Sequence, residues 1–508
     1  MSNSVLWTPA LFGFLGLFLP RRWAGWWAVL GTVVTLGLAI ALLAGFDSGA
    51  SGLQDTVDVT WISGLGVDYS LGVDGLNIFL IVLTAVLWVA GTAFAAFREQ
   101  ERPHLFFLMM MLAETAVLGA FLAQDLLLFV LFFDLMLVPF YFLFGVWGSD
   151  RVDGPTASAA TLKMIVYTLV GSLLMLVAAI ATAVIAADGG QITFSIAELS
   201  QHTLSEGSQR WIFCFFAVAF LVKMPAFLLH GWMPDAYRAA PLPALVVFSG
   251  VLAKVGAYGF LRVVLPLFPD ATVEFQEVIL VVALASILYG SVMAFTQTNV
   301  RLVAGYSSVA QLGFITAGIF ALSADGSDGA VLQMVNHGLV VAPLFLIVAI
   351  LAERSGSEDL TRMGGMAIGA PVLAALFLIV TLATLAMPGS ANFIGEFYIL
   401  NGLFDSKIVF AIVAISGVAM SAYYALRLYQ RTMHNRRPEG LQSREIGWRD
   451  GIVLAPLVLC ILGLALYPQL ILKRTDASVN RAVATVVPKQ TVTSNDGWTG
   501  YAPLAEKP

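Results

Sequence analysis

Charge is scarce in this 508-residue chain: Asp, Glu, Lys and Arg together make up 11% of it, where a soluble globular protein carries roughly a quarter. Cysteine is scarcer. Cys214 and Cys460 each stand alone inside an apolar run, which gives no footing for a disulfide framework, a zinc site or iron–sulfur ligation. No GxGxxG or GxxxxGK[ST] pattern lies between a strand and a helix, so nucleotide binding has no support and the chain is expected to carry no cofactor of its own. No basic cluster is dense enough for nucleic acid, and the net charge of −6 only sums two aqueous faces of opposite character. The first apolar run lacks a basic leading segment and a small-residue cleavage site, so no secretory signal is expected.

What is present is hydrophobic sequence, 59% of the residues with a mean hydropathy of +0.88. It comes in runs of roughly 20 residues, the length that crosses a bilayer as a helix. About 14 spans are expected, near 4–20, 24–45, 74–95, 103–122, 124–148, 160–187, 211–237, 242–267, 272–295, 299–323, 329–352, 369–402, 408–430 and 451–470. The chain reads as an all-α polytopic membrane protein, with the lipid bilayer as its first partner. Alternate loops hold Arg21-Arg22, Arg98, Arg102, Arg151, Arg238, Arg301, Arg354, Arg362 and the basic cluster from Arg427 to Arg449. Those loops face the cytoplasm, and both termini lie outside. "TVDVTWISGLGVDYSLGVDG" alternates around Ser63-Gly64 as an outer-face β-hairpin, Asp74 sits at the N-cap of span three, and a loose tail follows Leu472.

Two spans are interrupted at the same dipeptide. Met224-Pro225 follows Lys223 in span seven, and Met387-Pro388 precedes Glu396 in span twelve. Proline removes a helical hydrogen bond and clashes with the preceding turn, so each span divides into half-helices. Paired interruptions mark internal repeats with the transport pathway at the breaks. Spans four to eight and nine to thirteen then form two inverted five-helix repeats, each broken in its fourth member. The boundaries expected are 1–102 for the first three spans with the hairpin, 103–267 and 268–430 for the repeats, and 431–508 for the basic loop, last span and tail. Two independent proline kinks are the plainer alternative.

Charges far from span ends are few: Glu114, Asp134, Lys223, Lys254, His337 and Glu396, with His230 nearer the inner interface. Each ionised group costs about 2.5–3.5 kcal/mol at the bilayer centre if it faces lipid. As a set, acid, base and imidazole suggest a relay for protons or sodium, in which a moving carboxylate charge loads and unloads a desolvated lysine. The structural alternatives are a static Asp134–Lys223 pair, a core histidine at His337 or His230, and a snorkelling Lys163.

"LLHGWMPDAYRAAPLPALVVFSGVLAKVGAYGFLR", "KMIVYTLVGSLLMLVA", "NHGLVVAPLFLIVAILAERSG" and "MPGSANFIGEFYIL" resemble the antiporter-like subunits of respiratory complex I, over roughly Val73 to Arg431. The resemblance implies a proton-translocating, non-redox subunit in the middle of the membrane arm, beside antiporter-like subunits L and N, in a bacterial cytoplasmic membrane. It implies NADH, FMN, iron–sulfur clusters and quinone in partner subunits. It makes Asp134 the partner of Lys223, Lys254 and His337 the central groups, Glu396 the exit residue and Glu114 an acidic position of the fourth helix. Sister subunits and multisubunit sodium/proton antiporters carry lysine where Glu396 stands. The family's glutamate is aspartate at 134, so its reach to Lys223 is a methylene shorter and a bridging water fits the gap. The competing readings are a sodium/proton antiporter subunit, a subunit of a ferredoxin-dependent relative, and a structural scaffold.

Overall fold

A computed structural model describes residues 1–50, 52–150, 154–438 and 443–486. Arg151 and the tail residues 487–508 lie outside the described residues. A helix occupies each of the fourteen intervals expected. Among the described residues, 11 helices are individually long and apolar enough to cross a membrane. The other three spans are the 15-residue Ser2–Gly16 and the two interrupted ones.

Burial sorts the spans into a centre and a ring. The apolar windows of Leu242–Leu267, Val300–Ile319 and Ala324–Ser355 are wholly buried, whereas those of Arg21–Ala44, Ile408–His434 and Trp448–Leu466 are only 33%, 33% and 28% buried within the chain and leave the rest on its outer surface. Lipid tails are as apolar as leucine, so close packing through small residues, not hydrophobic exclusion, must hold such helices together. Spans nine and ten show it reciprocally: a Cβ at Gly290 would lie 2.7 Å from the amide nitrogen of Ala310, and one at Gly313 would lie 2.7 Å from Ala283 O.

Both predicted breaks are present. Glu206–Lys223 ends on the lysine and the chain runs without regular helix to Met233–Ala239; Pro371–Thr384 ends and Ala391–Ser406 resumes. Each first half closes with a hydrogen bond reaching five residues back, from Ala226 N to Leu221 O (3.0 Å) and from Met387 N to Leu382 O (3.1 Å). That shared closure satisfies carbonyls the missing helical turn would orphan.

Two further departures from a regular helix were not anticipated. Span five divides at Met136 into Leu126–Leu135 and Leu137–Trp147. Pro139 has no N–H for the carbonyl of Leu135, directly after Asp134. Span eight carries π-helical turns at Phe248–Leu252 and Phe260–Val264, bracketing the short α segment Ala253–Gly259 that holds Lys254.

The hairpin is as expected, Gln54–Ile62 antiparallel to Val67–Val73. Gly66 closes its turn with φ of 67°, and a Cβ there would lie 1.9 Å from Ile192 O. Two expectations are corrected. Asn77, not Asp74, stands at the N-cap of Ile78–Ala96, and the Asp74 carboxylate instead accepts from Leu76 N (3.0 Å) and from the Arg262 guanidinium (2.6 Å). The residues after Leu472 are not a loose tail as far as they are described. They continue the helix Gln469–Ala484, whose Ser478 hydroxyl accepts from Gly75 N (2.9 Å) and whose Ile471, Leu472, Val479 and Val483 are buried.

Two buried ion pairs fasten the bundle. Arg262 pairs with Asp74 and also donates to the Tyr258 hydroxyl (2.9 Å), which donates onward to Phe121 O (3.0 Å). Arg301 pairs with Glu358 (2.8 Å) and donates to the carbonyl of Ala240 (2.6 Å) at the C-terminal end of Met233–Ala239, where a cation is favoured. Removing one partner of such a pair strands a desolvated charge. Arg262→Met should therefore destabilise the bundle by about 3–5 kcal/mol. Adding Asp74→Asn should recover much of that loss. Thermal unfolding of the purified assembly measures both, and equal Tm for parent and Arg262→Met would contradict the assignment.

Candidate functional site: a buried polar chain

The helix ends and breaks set where the charges sit. Lys223 is the last residue of its half-helix, where the negative end of the helix dipole favours a cation. It is 3% exposed, its Nζ lies 4.6 Å from the centre of the Phe133 ring, and it has no protein hydrogen-bond partner. Asp134, next to Phe133, is near enough to act on Lys223 electrostatically, and Ser172 faces it from span six. Among the described residues the two charges form no ion pair within 4.0 Å. The shorter acid does leave a gap.

Span eight presses directly against this break, since a Cβ at Gly256 would lie 2.9 Å from both Phe220 O and Met224 Cγ. Lys254 then points away from it. Its ammonium, wholly buried, donates to Ser249 O (3.1 Å) and lies 2.9 Å from Nδ1 of His337. Lys254 is thus not unpartnered, although its partner carries no fixed charge. The carbonyl of Ser249, inside the π turn at Phe248–Leu252, serves as one acceptor.

Beyond His337 the polar groups are mostly uncharged. Asn336 donates to Ala391 O (2.7 Å), tying span eleven to the first residue of the second half of span twelve. Gln333 Nε2 donates to Gln311 Oε1 (2.7 Å), and Gln311 Nε2 donates to Glu396 Oε1 (2.7 Å). A cavity of about 10 Å³ touches His337, Ser307, Gln311, Thr384 and Asn392. A second of about 10 Å³ adjoins it at Ser307 and Thr384 and reaches Tyr424. Each has room for about one water. Glu396 Oε2, Gln333 Oε1, both Asn392 amide atoms and the Tyr424 hydroxyl are buried without a protein partner. Buried polar atoms in native proteins are met by protein or by water, and the cavities leave room for water at Asn392 and Tyr424, which line them.

The structure thus joins Lys254 to His337, and the small cavity that His337 lines reaches Gln311, the hydrogen-bond partner of Glu396. The structure also places Asp134 beside Lys223. Glu114 makes no hydrogen bond to any of them: both its oxygens are buried without a protein partner. His230 lies in the segment between the halves of span seven, 4.8 Å ring to ring from Tyr289 and 6.3 Å from Tyr306. Near it Lys163, read above as snorkelling, pairs with Asp235 at 2.8 Å. A reading that screened only for charge missed Gln311, Gln333, Asn392 and Tyr424. Their signal was available, because an amide or phenol in a wholly buried membrane helix needs a partner there.

The family described as "NADH:quinone oxidoreductase/Mrp antiporter, TM" matches residues 123–421. A protein of Rhodobacter capsulatus named NADH-quinone oxidoreductase subunit M is 36% identical over 472 residues, 91% of each chain. Its counterpart of the same name in Escherichia coli K12 is 35% identical over 489 residues, 93% of this chain and 95% of that one. Among solved structures, a chain of respiratory complex I from Thermus thermophilus with bound NADH superposes with a TM-score of 0.87 at 29% identity, covering 96% of this chain and all of that one. A chain of the Mrp complex from Dietzia sp. DQ12-45-1b shares the fold, with a TM-score of 0.82 at 20% identity over 97% and 99% of the two. With its family domain matched over more than half its length, the chain belongs to the transmembrane-subunit family of NADH:quinone oxidoreductases and Mrp antiporters.

Proposed function

We propose that this chain is the M-type, proton-translocating membrane subunit of a bacterial NADH:quinone oxidoreductase. It spans the cytoplasmic membrane beside subunits L and N, with NADH, FMN, iron–sulfur clusters and quinone held by other subunits. The observation that carries the reading is the 2.9 Å contact of Lys254 with His337. At that distance two cations repel in a low-dielectric interior, so one proton is shared by two bases. The ammonium donates to a neutral imidazole, and displacement of the proton along this hydrogen bond carries the charge from span eight to span eleven.

The other residues take roles by position. Asp134 beside Lys223 holds the ammonium charged, and withdrawing that charge releases the proton towards Lys254. Beyond His337, water in the Ser307–Thr384 cavities leads to the Gln311 amide, which orients Glu396. His230, with Tyr289 and Tyr306, lies on the cytoplasmic approach, and Glu114 is a reserve acid in the first unit. The two five-helix units at 103–267 and 268–430 carry half the route each, between 1–102 and 431–508. A sodium/proton antiporter subunit is the second reading. The carboxylate Glu396, in place of the lysine expected there, speaks against it.

Three outcomes test the route in vesicles reconstituted with the assembled complex. Lys254→Ala should assemble normally while proton uptake falls at least about tenfold, within the range for losing a positioned proton carrier. Normal pumping at normal turnover would remove Lys254 from the route.

Asp134→Asn should pump far less than Asp134→Glu. The charge controls Lys223, whereas the added methylene only closes the gap between them. Equal rates in both assembled variants would exclude the carboxylate.

Glu396→Lys should retain partial pumping and Glu396→Ala almost none. A lysine at 396 can be met by turning over the Gln311 and Gln333 amides, because Gln333 Oε1 has no partner to lose. Parental uptake in the alanine variant would place the exit elsewhere.

A further inference from the structure

One polar cavity takes no part in that route. It opens at the arginine-rich end of spans two, three and four, holds about 520 Å³, and is lined by Arg21, Arg22, Trp26, Arg98, Glu99 and Phe107 among others. That volume is in the range of specific small-molecule sites. Its arginines are not equivalent. Arg98 is committed to Glu353 (2.7 Å) and Asp450 (3.1 Å) and stacks on the Phe94 ring, 3.6 Å from its centre. Arg21 and Arg22, in the short turn Arg21–Trp23 after Pro20, have no carboxylate within ion-pair distance among the described residues.

The level of the cavity is marked by aromatics. Trp23 is 54% and Trp448 70% exposed, and Trp26 packs edge-on against Phe97 at 5.0 Å, which in turn meets Trp448 at 5.5 Å. Exposed tryptophans of this kind sit at the headgroup layer, and arginine enrichment assigns the layer to the cytoplasmic leaflet. A cavity there with two uncommitted guanidiniums, a carboxylate at the rim and Phe107 and Trp26 on its walls matches a molecule with a phosphodiester, a polar head and acyl chains. Guanidinium forks suit phosphate oxygens. Glu99 is exposed and lines the same space. Beside a phosphate it repels an acidic head and attracts an ammonium.

We propose that this cavity is a binding site for one glycerophospholipid of the cytoplasmic leaflet, its phosphodiester held by Arg21 and Arg22 and an ammonium headgroup directed to Glu99. Basic pockets between membrane helices hold lipid heads in this manner. The test uses the intact assembly purified in mild detergent, from the parent, Arg21→Gln/Arg22→Gln, Arg21→Lys/Arg22→Lys and Glu99→Gln. Phospholipid retained per complex is read by native mass spectrometry, before and after exposure to mixed vesicles of phosphatidylethanolamine and phosphatidylglycerol. The double glutamine variant should hold one phospholipid fewer or bind it roughly tenfold more weakly, the loss of a charge-assisted pair, and the double lysine variant should keep it. Glu99→Gln should shift the retained lipid towards phosphatidylglycerol. Equal retention in parent and double glutamine variant overturns the site. Displacement of the lipid by millimolar inorganic phosphate would make it a general anion site instead, and an unchanged headgroup preference in Glu99→Gln overturns the ammonium assignment. If the double variant does not assemble, Arg21→Gln and Arg22→Gln singly carry the same comparison.

Discussion

A backbone that leaves the helix inside a bilayer has no solvent to turn to, and the architecture of this chain follows from where it can afford to do so. The π turns of span eight lie within protein, and Pro225, Ala226 and Trp232 of the first break and Ala386 of the second are buried, while Leu228 and residues Met387 to Gly389 reach the surface. Spans eight, ten and eleven, whose apolar windows are wholly enclosed, supply that shelter. Of the three spans with the least buried apolar windows, Arg21–Ala44 and Trp448–Leu466 contain no such interruption, and Ile408–His434 has its π turn, Gln430–His434, only at its end. Backbone carbonyls then become part of the polar interior, as Ser249 O does for Lys254.

The same enclosure explains why so few charges suffice. Away from water, Lys254 and His337 act on one another strongly, and amides can do the work of carboxylates in orienting a proton carrier. Gln311 holds Glu396 on one side and takes a hydrogen bond from Gln333 on the other. Hydroxyls at Ser307, Thr384 and Tyr424 line the neighbouring cavities. A polar interior of this kind is suited to moving protons without a continuous pore, because a hydrogen-bonded chain needs water-sized gaps only.

Much of this was legible in the sequence. Apolar run length located every span, and Met-Pro located the breaks, because proline's missing N–H acts locally. Lys223, Lys254, His337 and Glu396 stood out because their cost in lipid is independent of neighbours. What depended on neighbours was less visible. Asp74 looks like a cap until Arg262, far along the chain, is seen beside it. The π turns around Lys254 leave no local residue signature beyond glycines at 250, 256 and 259, whose packing against Leu87, Met224 and Phe220 is a tertiary fact. The helix Gln469–Ala484 is polar overall and gains its order from burying one face, so a reading by hydropathy passes over it.

The guanidinium of Arg301 has a mechanical consequence. By gripping the end of Met233–Ala239 it makes the second half of span seven an attachment of span ten, while the first half, through Phe220, is lodged in the glycine face of span eight. Residues 224–232 are therefore a joint between two separately anchored bodies, and Lys223 stands on its edge. Any displacement of span ten relative to span eight is concentrated there, since hinges absorb motion in a few residues between packed elements. The ammonium and the joint share one address, so strain arriving from elsewhere in the membrane is delivered where the charge is.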